Sequence, residues 1–394
     1  MTPIETQAPV VLAAGGTGGH MFPAEALARE LLARGNRVVL VTDRRGKAFG
    51  DALPEVEVHR IRASSFGSGV MGKLRGAVEL GLGALQARRL IAALRPSVVV
   101  GFGGYPSVPT VLMAQRAGVP TVLHEQNAVL GRANRMLASG AARIATSFAT
   151  VSAVKPADRA KLVTTGNPVR PAVTAVRDLP YPTLEPGGEL RLLVVGGSQG
   201  ARIFSEIVPE ALALLPAMLR ERIRLAQQCR PEDLEAAKAA FARAGVDAEL
   251  SSFFRDVPDR LAACHLAICR SGASTVAELA AAGRPAVLVP YPFAMDDHQT
   301  ANAQAVADAG GAWLMPQPAF TPKALADRLE ALLDLPATLA KAAEAARARG
   351  AADAASLLAD IVIDIAPGAA KGAASPRSDR PKAGADRYST EAAE

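Results

Sequence analysis

The chain alternates short, wholly apolar runs with longer Ala- and Leu-rich segments of helical period, and it runs through this plan twice. A run such as VVLAA at 10–14 has no polar face, so both sides of the strand must be covered. Parallel strands buried under helices meet that demand. The expected class is therefore α/β. In the first half, strands are expected at 10–14, 38–41, 56–61, 97–102, 120–124 and 143–146, with helices between them at 23–34 and 82–94 among others. The second half restarts at 190–196 and continues through 223–228, 248–251, 265–270, 286–289 and 312–315.

A chain of 394 residues, 49% hydrophobic, exceeds one small core and suits two doubly wound domains. The expected division is an N-terminal domain at 1–167, a Pro-rich linker without helical periodicity at 168–188, and a C-terminal domain at 189–344. An Ala-rich helical region spans 336–365, and its last part near 345–365 is expected to complete the first domain. The segment 367–394, rich in Ala, Gly, Pro, Ser and charge, reads as a disordered tail. Three cysteines, Cys229, Cys264 and Cys269, offer neither a disulfide set nor a CxxC pair, which fits a reduced, cytoplasmic protein. No basic n-region with a long apolar run opens the chain, and no window approaches the roughly 18 apolar residues of a spanning helix. Lys and Arg exceed Asp and Glu by 44 to 38, a net +6 without interleaved aromatics. Nucleic acid is not an expected partner, while anionic small molecules or an anionic membrane surface are compatible with the balance.

Three Gly-rich loops punctuate strand-to-helix junctions: GGTGGH at 15–20, GFGGYPS at 101–107 and GGSQGA at 196–201. In open α/β sheets, ligands bind at the carboxyl ends of strands, so the cleft between two such domains is the expected site. In VVGGSQGARIF, with Ser198 as N-cap, the amides at a helix start would face a diphosphate; a plain tight turn is the alternative. No GxxxxGK[ST] or complete GxGxxG is present in these loops, which disfavours P-loop hydrolysis and weakens a dinucleotide reading. In CRSGASTVAELAAAG at 269–283, Thr275 and Glu278 have capping-box spacing, and Gly283 reads as the helix end. The alternative use of Glu278 is to accept the vicinal hydroxyls of a ribose. In YPFAMDDHQTANAQAV at 291–306, Asp296 or Asp297 is a candidate N-cap, and Gln299 and Asn302 have amides that can bind sugar hydroxyls. VLHEQNAVLGRANR at 122–135 concentrates His124, Glu125, Gln126 and Asn127 at a strand end. No acidic pair of DxD type sits on these loops, so no metal site is expected.

Taken together, GGTGGHMFPA, GFGGYPS, HEQNAVLGRANR, GNPVR, VVGGSQGAR, CRSGASTVAELAAAG and DDHQTANA resemble, in order from about residue 10 to about residue 315, the motif series of the MurG family. These are the UDP-N-acetylglucosamine transferases of peptidoglycan synthesis. The resemblance implies a GT-B architecture, two Rossmann-like domains facing an interdomain cleft. It also implies inverting transfer of N-acetylglucosamine to the C4 hydroxyl of undecaprenyl-pyrophosphoryl-MurNAc-pentapeptide. By the same resemblance, Ser198 binds phosphate, Glu278 the ribose, and Ala273, Ser274, Thr275, Val276 and Ala277 the diphosphate and ribose through the helix start. Phe254 falls where backbone contacts to uracil are made, Gln299 and Asn127 where the sugar is touched, and Arg170 is a further nucleotide contact. Thr17, Gly18 and Gly19 form the acceptor-side loop. AQQCRPED at 226–233 departs from the Gly-containing turn usual in the family, which puts contacts from that loop in doubt.

Inversion needs a base, and His20, with an ordinary pKa near 6.5, is the candidate; Glu125 or a water is the alternative. No cofactor is expected, although a divalent cation can stimulate without a protein metal site. The segment 64–96, with Lys73, Arg75, Arg88, Arg89 and Arg95 against Glu79, reads as a peripheral membrane patch, part of whose helix (Leu85, Leu90, Ile91, Leu94) can equally be core. The implied location is the cytoplasmic face of the inner membrane, with cell-wall and division proteins as partners. Rival readings are a UDP-N-acetylglucosamine epimerase and a non-catalytic cell-wall scaffold of the same fold.

Overall fold

A computed structural model describes residues 7–15, 18–43, 53–63, 69–185, 187–197, 200–333 and 335–367. Thirteen strands are found there, all pairing in parallel, in two sheets. The first holds β1 (Val10–Ala13), β2 (Val38–Thr42), β3 (Glu57–Arg60), β4 (Val98–Gly101), β5 (Thr121–Glu125), β6 (Arg143–Thr146) and β7 (Leu162–Thr164), ordered 3-2-1-4-5-6-7. The second holds β8 (Leu190–Val195), β9 (Ile223–Gln228), β10 (Asp247–Ser251), β11 (Leu266–Cys269), β12 (Ala286–Leu288) and β13 (Ala312–Leu314), ordered 10-9-8-11-12-13.

Period-two alternation within an all-apolar strand feeds two cores. Val10 and Leu12 point into one cluster with Leu27, Leu31 and Val362; Val11 and Ala13 point into another with Val111, Leu130 and Ile144. Leu192 and Val194 join Phe204 and Leu329 on one face of the second sheet, and Leu193 joins Leu279 and Ala303 on the other. This is why 10–13 and 192–195 carry no polar positions. Strand order reverses between β1 and β4 and again between β8 and β11, and all three Gly loops follow strands at these two switch points.

Several local expectations are corrected. The segment read as non-helical linker contains the helix Pro171–Val176, started by Pro171 at its first turn and held by Val173 and Val176 in the core of the second half. The Ala-rich region at 336–365 is two helices, Pro336–Arg349 and Ala354–Ile365. They part at Gly350, where a Cβ would collide with the Ala280 carbonyl oxygen. The second returns to the first sheet, burying Leu358, Ala359 and Val362 while Arg34 bonds Asp360 and Ser356. The helix expected at 23–34 begins at Gly18 and carries Pro23 within its first two turns. The expected tail at 367–394 lies outside the described residues apart from Pro367 at its edge. Among the described residues, no helix is long and apolar enough to cross a membrane.

Candidate active site

The carboxyl ends of the two sheets face a cavity of about 830 Å³. Gly18, Gly19 and Phe22 line it from the first half, and Arg170 from the connecting segment. The second half contributes the loop after β8, the start of the helix Ala273–Ala282, Phe253, Phe254, Arg270, Tyr291 and Gln299.

The helix Ala273–Ala282 is capped by extended Gly272 without a side-chain bond and ends at Gly283 in the left-handed region, φ 64°. Glu278 therefore does not close a capping box. Its carboxylate instead accepts from Arg170 Nε at 3.2 Å and Nη2 at 2.8 Å. Burial is the largest influence on Glu278 and raises its pKa against the opposing pull of Arg170. Arg170 also lies over the Phe22 ring at 5.0 Å, so one guanidinium touches both halves. Ala273, Ser274 and Thr275 line the cavity and lie in the first turn, where backbone N–H groups have no helical partner. Val276 does not: its amide bonds Gly272 and its side chain is buried in the core. Ala277, one residue further in, is also not part of the cavity wall.

The helix after β8 starts at Arg202 with Ala201 at the N-cap position; the expected cap, Ser198, lies, like Thr17, outside the described residues. Phe254 is buried in the wall under the Arg260 guanidinium, 3.9 Å from the ring centroid. Gln299 lines the cavity and accepts from the Tyr291 amide at 2.9 Å through Oε1. Asn302 is not available to a sugar. It is fully buried, its Oδ1 accepts from the Ala128 amide at 2.8 Å, and its Nδ2 donates to Asn127 Oδ1 and the Ser271 carbonyl, both at 3.1 Å. Asn127 is thus half of a clasp between the two halves, outside the cavity wall, with its Nδ2 on Glu125. Asp297 occupies the N-cap position with φ 50° and takes Thr300 Oγ1, while Asp296 accepts from Arg132 and Arg135 across the cleft mouth.

His20 is half-buried beside the cavity at the start of the helix Gly18–Ala33. Its Nδ1 lies 3.2 Å from Gln126 Oε1, and burial lowers its pKa while Glu125 works in the opposite direction. Glu125, the alternative base, has both oxygens engaged. The Asn127 amide and side chain share Oε1, and the Gly131 amide and Asn134 Nδ2 share Oε2. Its four donors make it the anchor of its own loop.

Sequence reasoning did not single out Phe22, Arg270 or Arg230. Arg270 Nη1 donates to the Val289 and Pro290 carbonyls and Nη2 to Gln317 Oε1, all neutral acceptors, and burial lowers its pKa. A strand ending in arginine at a switch point is the signal that could have found it. Gln228 and Arg230, on the departing loop, also line the cavity. Among the described residues, no cluster of three His, Cys, Asp or Glu could hold a metal.

Two doubly wound halves with a nucleotide-sized cavity at their facing switch points define a two-domain protein of GT-B architecture. The model of the glycosyltransferase family 28 N-terminal domain matches residues 10–146, and that of the family 28 C-terminal domain residues 191–358. A curated relative in Rhodospirillum centenum is 63% identical over 95% of this chain and 98% of its own. Another, in Paramagnetospirillum magneticum, is 58% identical over 92% and 99%. Both are named UDP-N-acetylglucosamine–N-acetylmuramyl-(pentapeptide) pyrophosphoryl-undecaprenol N-acetylglucosamine transferase. The crystal structure of Acinetobacter baumannii MurG is similar with a TM-score of 0.74 and 30% identity, covering 91% of this chain and all of that one. The chain belongs to the MurG family of family 28 glycosyltransferases. A UDP-GlcNAc 2-epimerase from Neisseria meningitidis, at 14% identity and a TM-score of 0.63, shares the fold alone.

Proposed function

We propose that this chain performs the reaction its relatives are named for, moving N-acetylglucosamine from UDP-N-acetylglucosamine to the muramoyl-pentapeptide of an undecaprenyl pyrophosphate. The chain is a UDP-N-acetylglucosamine-dependent hexosyltransferase of peptidoglycan synthesis. The observation that carries the site assignment is the cavity itself, in which a free helix start on the donor side faces the first turn of the helix Gly18–Ala33, with Gly18 and Gly19 in the wall and His20 beside them.

In this reading, the unpaired amides of Ala273 to Thr275 and the positive end of their helix receive the charge developing on the departing UDP. Arg270 lies in the same wall as an additional cation. Phe254 supports the uracil, Glu278 takes the ribose hydroxyls while sharing or releasing Arg170, and Gln299 holds the sugar. The acceptor C4 oxygen attacks C1 from the face opposite UDP. As the new O–C1 bond forms, the C1–O bond to the diphosphate breaks and its electron pair leaves with UDP. His20 Nε2 takes the hydroxyl proton.

The acceptor is lipid-linked, so the first half must reach a membrane surface. Val78, Leu82 and Leu85 are exposed on the helix Gly69–Leu94 and, with Arg89, share one face at i, i+4, i+7 and i+11; Arg88 is exposed beside it. Ile91 is buried and Leu90 and Leu94 pack beside it, so the far end of this helix is core. The side chains of Lys73 and Arg75 lie outside those described. We place this face on the anionic cytoplasmic leaflet and the boundary between the halves within 168–188. Cell-wall and division proteins are further partners in this proposal.

Labelled UDP-N-acetylglucosamine incubated with a lipid-linked muramoyl-pentapeptide separates the readings. Label in the lipid product supports transfer. Conversion to UDP-N-acetylmannosamine would mean epimerisation, and binding without turnover a scaffold; either overturns the proposal.

A further inference from the structure

His20 is one end of a hydrogen-bonded chain that the reaction described above does not account for. Gln126, nearly inaccessible, stands between it and His124, which is fully buried. Gln126 Nε2 lies 3.0 Å from the Phe102 carbonyl, 3.1 Å from the His124 carbonyl and 3.0 Å from His124 Nδ1. Two of these three neighbours are carbonyl oxygens, which can only accept. The amide is thereby locked with its nitrogen toward them, because the flipped orientation would set oxygen against oxygen in a buried site. Its Oε1 then faces His20 Nδ1 at 3.2 Å, and an amide oxygen can only accept. His20 Nδ1 must therefore carry the proton. At the other end, His124 Nδ1 accepts from Gln126, so His124 Nε2 donates to the Gly166 carbonyl at 3.3 Å. Gln126 Nε2 has two hydrogens for these three acceptors, so His124 Nδ1 shares one with a neighbouring carbonyl, and in this assignment no acceptor of the chain is set against another acceptor alone.

We infer that Gln126 is a positioning residue that fixes His20 in the Nδ1–H tautomer, leaving Nε2 as the bare, proton-accepting nitrogen turned toward Gly104. The inference rests on His20 being the base. It explains why an amide stands where other histidine bases have a carboxylate: the amide selects the tautomer without adding a negative charge beside the diphosphate. Space around Nε2 is kept open by backbone. Gly104, with φ 73°, would carry a Cβ 3.3 Å from Nε2 and 3.2 Å from Cδ2. The charged and titratable neighbours of His20 are Glu125, which favours its protonation, His298 from the facing half, which opposes it, and His124 through the chain. The proton lifted from the acceptor would rest on Nε2, giving an imidazolium that still donates through Nδ1 to Gln126.

The chain has five histidines, so long-range proton–nitrogen correlation spectra of the full-length, 15N-histidine-labelled protein can be assigned by comparison with His20→Gln. Above its titration, His20 in the wild type should show a pyrrole-type Nδ1 and a pyridine-type Nε2, the reverse of the form free histidine prefers. Gln126→Met should return His20 to a mixed tautomer and lower kcat roughly 100-fold, with the donor KM within about twofold. A wild-type spectrum with the proton on Nε2, or an unaltered tautomer in Gln126→Met, overturns the inference. The wild-type spectrum needs no variant to fold. Because it is recorded without substrate, it also stands apart from the base assignment: the expected tautomer with a fully active His20→Ala would overturn the base, not the tautomer lock.

Discussion

A glycine at position 104 is dictated by the ring opposite it. Both its left-handed φ and its closeness to the His20 ring exclude a side chain, so Gly104→Ala must displace the ring or the loop. Steady-state kinetics should show kcat reduced at least about tenfold with the UDP dissociation constant unchanged, since the donor cavity is built elsewhere. At the same chain's far end, burial pulls the His124 imidazole down to about 4. A base with a depressed native pKa stays neutral in the fold while the unfolded chain binds protons. Its stabilisation is therefore complete above about pH 6.5 and is lost as pH falls from there to about 4, a decline of about 3 kcal/mol. Urea midpoints measured across this window should fall in the wild type and fall distinctly less in His124→Gln; equal slopes would contradict the assignment. Of the residues that chemistry singles out in the sequence, Glu278 and Gln299 line the cavity and His20 lies beside it. Their partners were not legible there: the spacing of Thr275 and Glu278 suggested a local cap, and only the fold brings Arg170 from 108 positions away to take that carboxylate.

Helix ends set the geometry of the donor side. Arg284, almost wholly buried, donates to the carbonyls of Leu261, Ala262, Ala282 and Gly283, tying the ends of the helices Val257–Ala263 and Ala273–Ala282 to one guanidinium. Arg284→Met would leave buried carbonyls unpaired and should cost about 3 kcal/mol or more in urea unfolding. On the acceptor side, the exposed face at Val78, Leu82, Leu85 and Arg89 should bind vesicles containing anionic phospholipid at low salt and release them at moderate salt. Leu82→Glu combined with Leu85→Glu should abolish cosedimentation, and a wild type that never sediments at any salt would exclude the membrane face. The elements most visible in sequence were the buried strands, whose apolar runs match β1, β4 and β8 within a residue or two. β7 was missed because Leu162–Thr164 is a three-residue edge strand with two exposed positions and hence no apolar run. The helix Pro171–Val176 was hidden by the prolines of its segment, one of which, Pro171, starts it.

At the scale of the molecule, polar contacts between the two halves among the described residues include Asn302 with Asn127 and Ala128, Asp296 with Arg132 and Arg135, and Arg170 between Phe22 and Glu278. The repeat of strand, Gly loop and helix in each half made a facing cleft legible from sequence. What sequence could not supply was which polar groups the interface itself consumes, and for that reason Asn127 and Asn302 read as sugar ligands. In the proposed reaction the cleft performs an inverting transfer in which His20 removes the acceptor proton. The most direct test is turnover of His20→Ala with saturating UDP-N-acetylglucosamine and lipid-linked acceptor, alongside UDP affinity by calorimetry. A fall of ~100-fold or more in kcat with UDP binding essentially intact is expected; near-native turnover would contradict it.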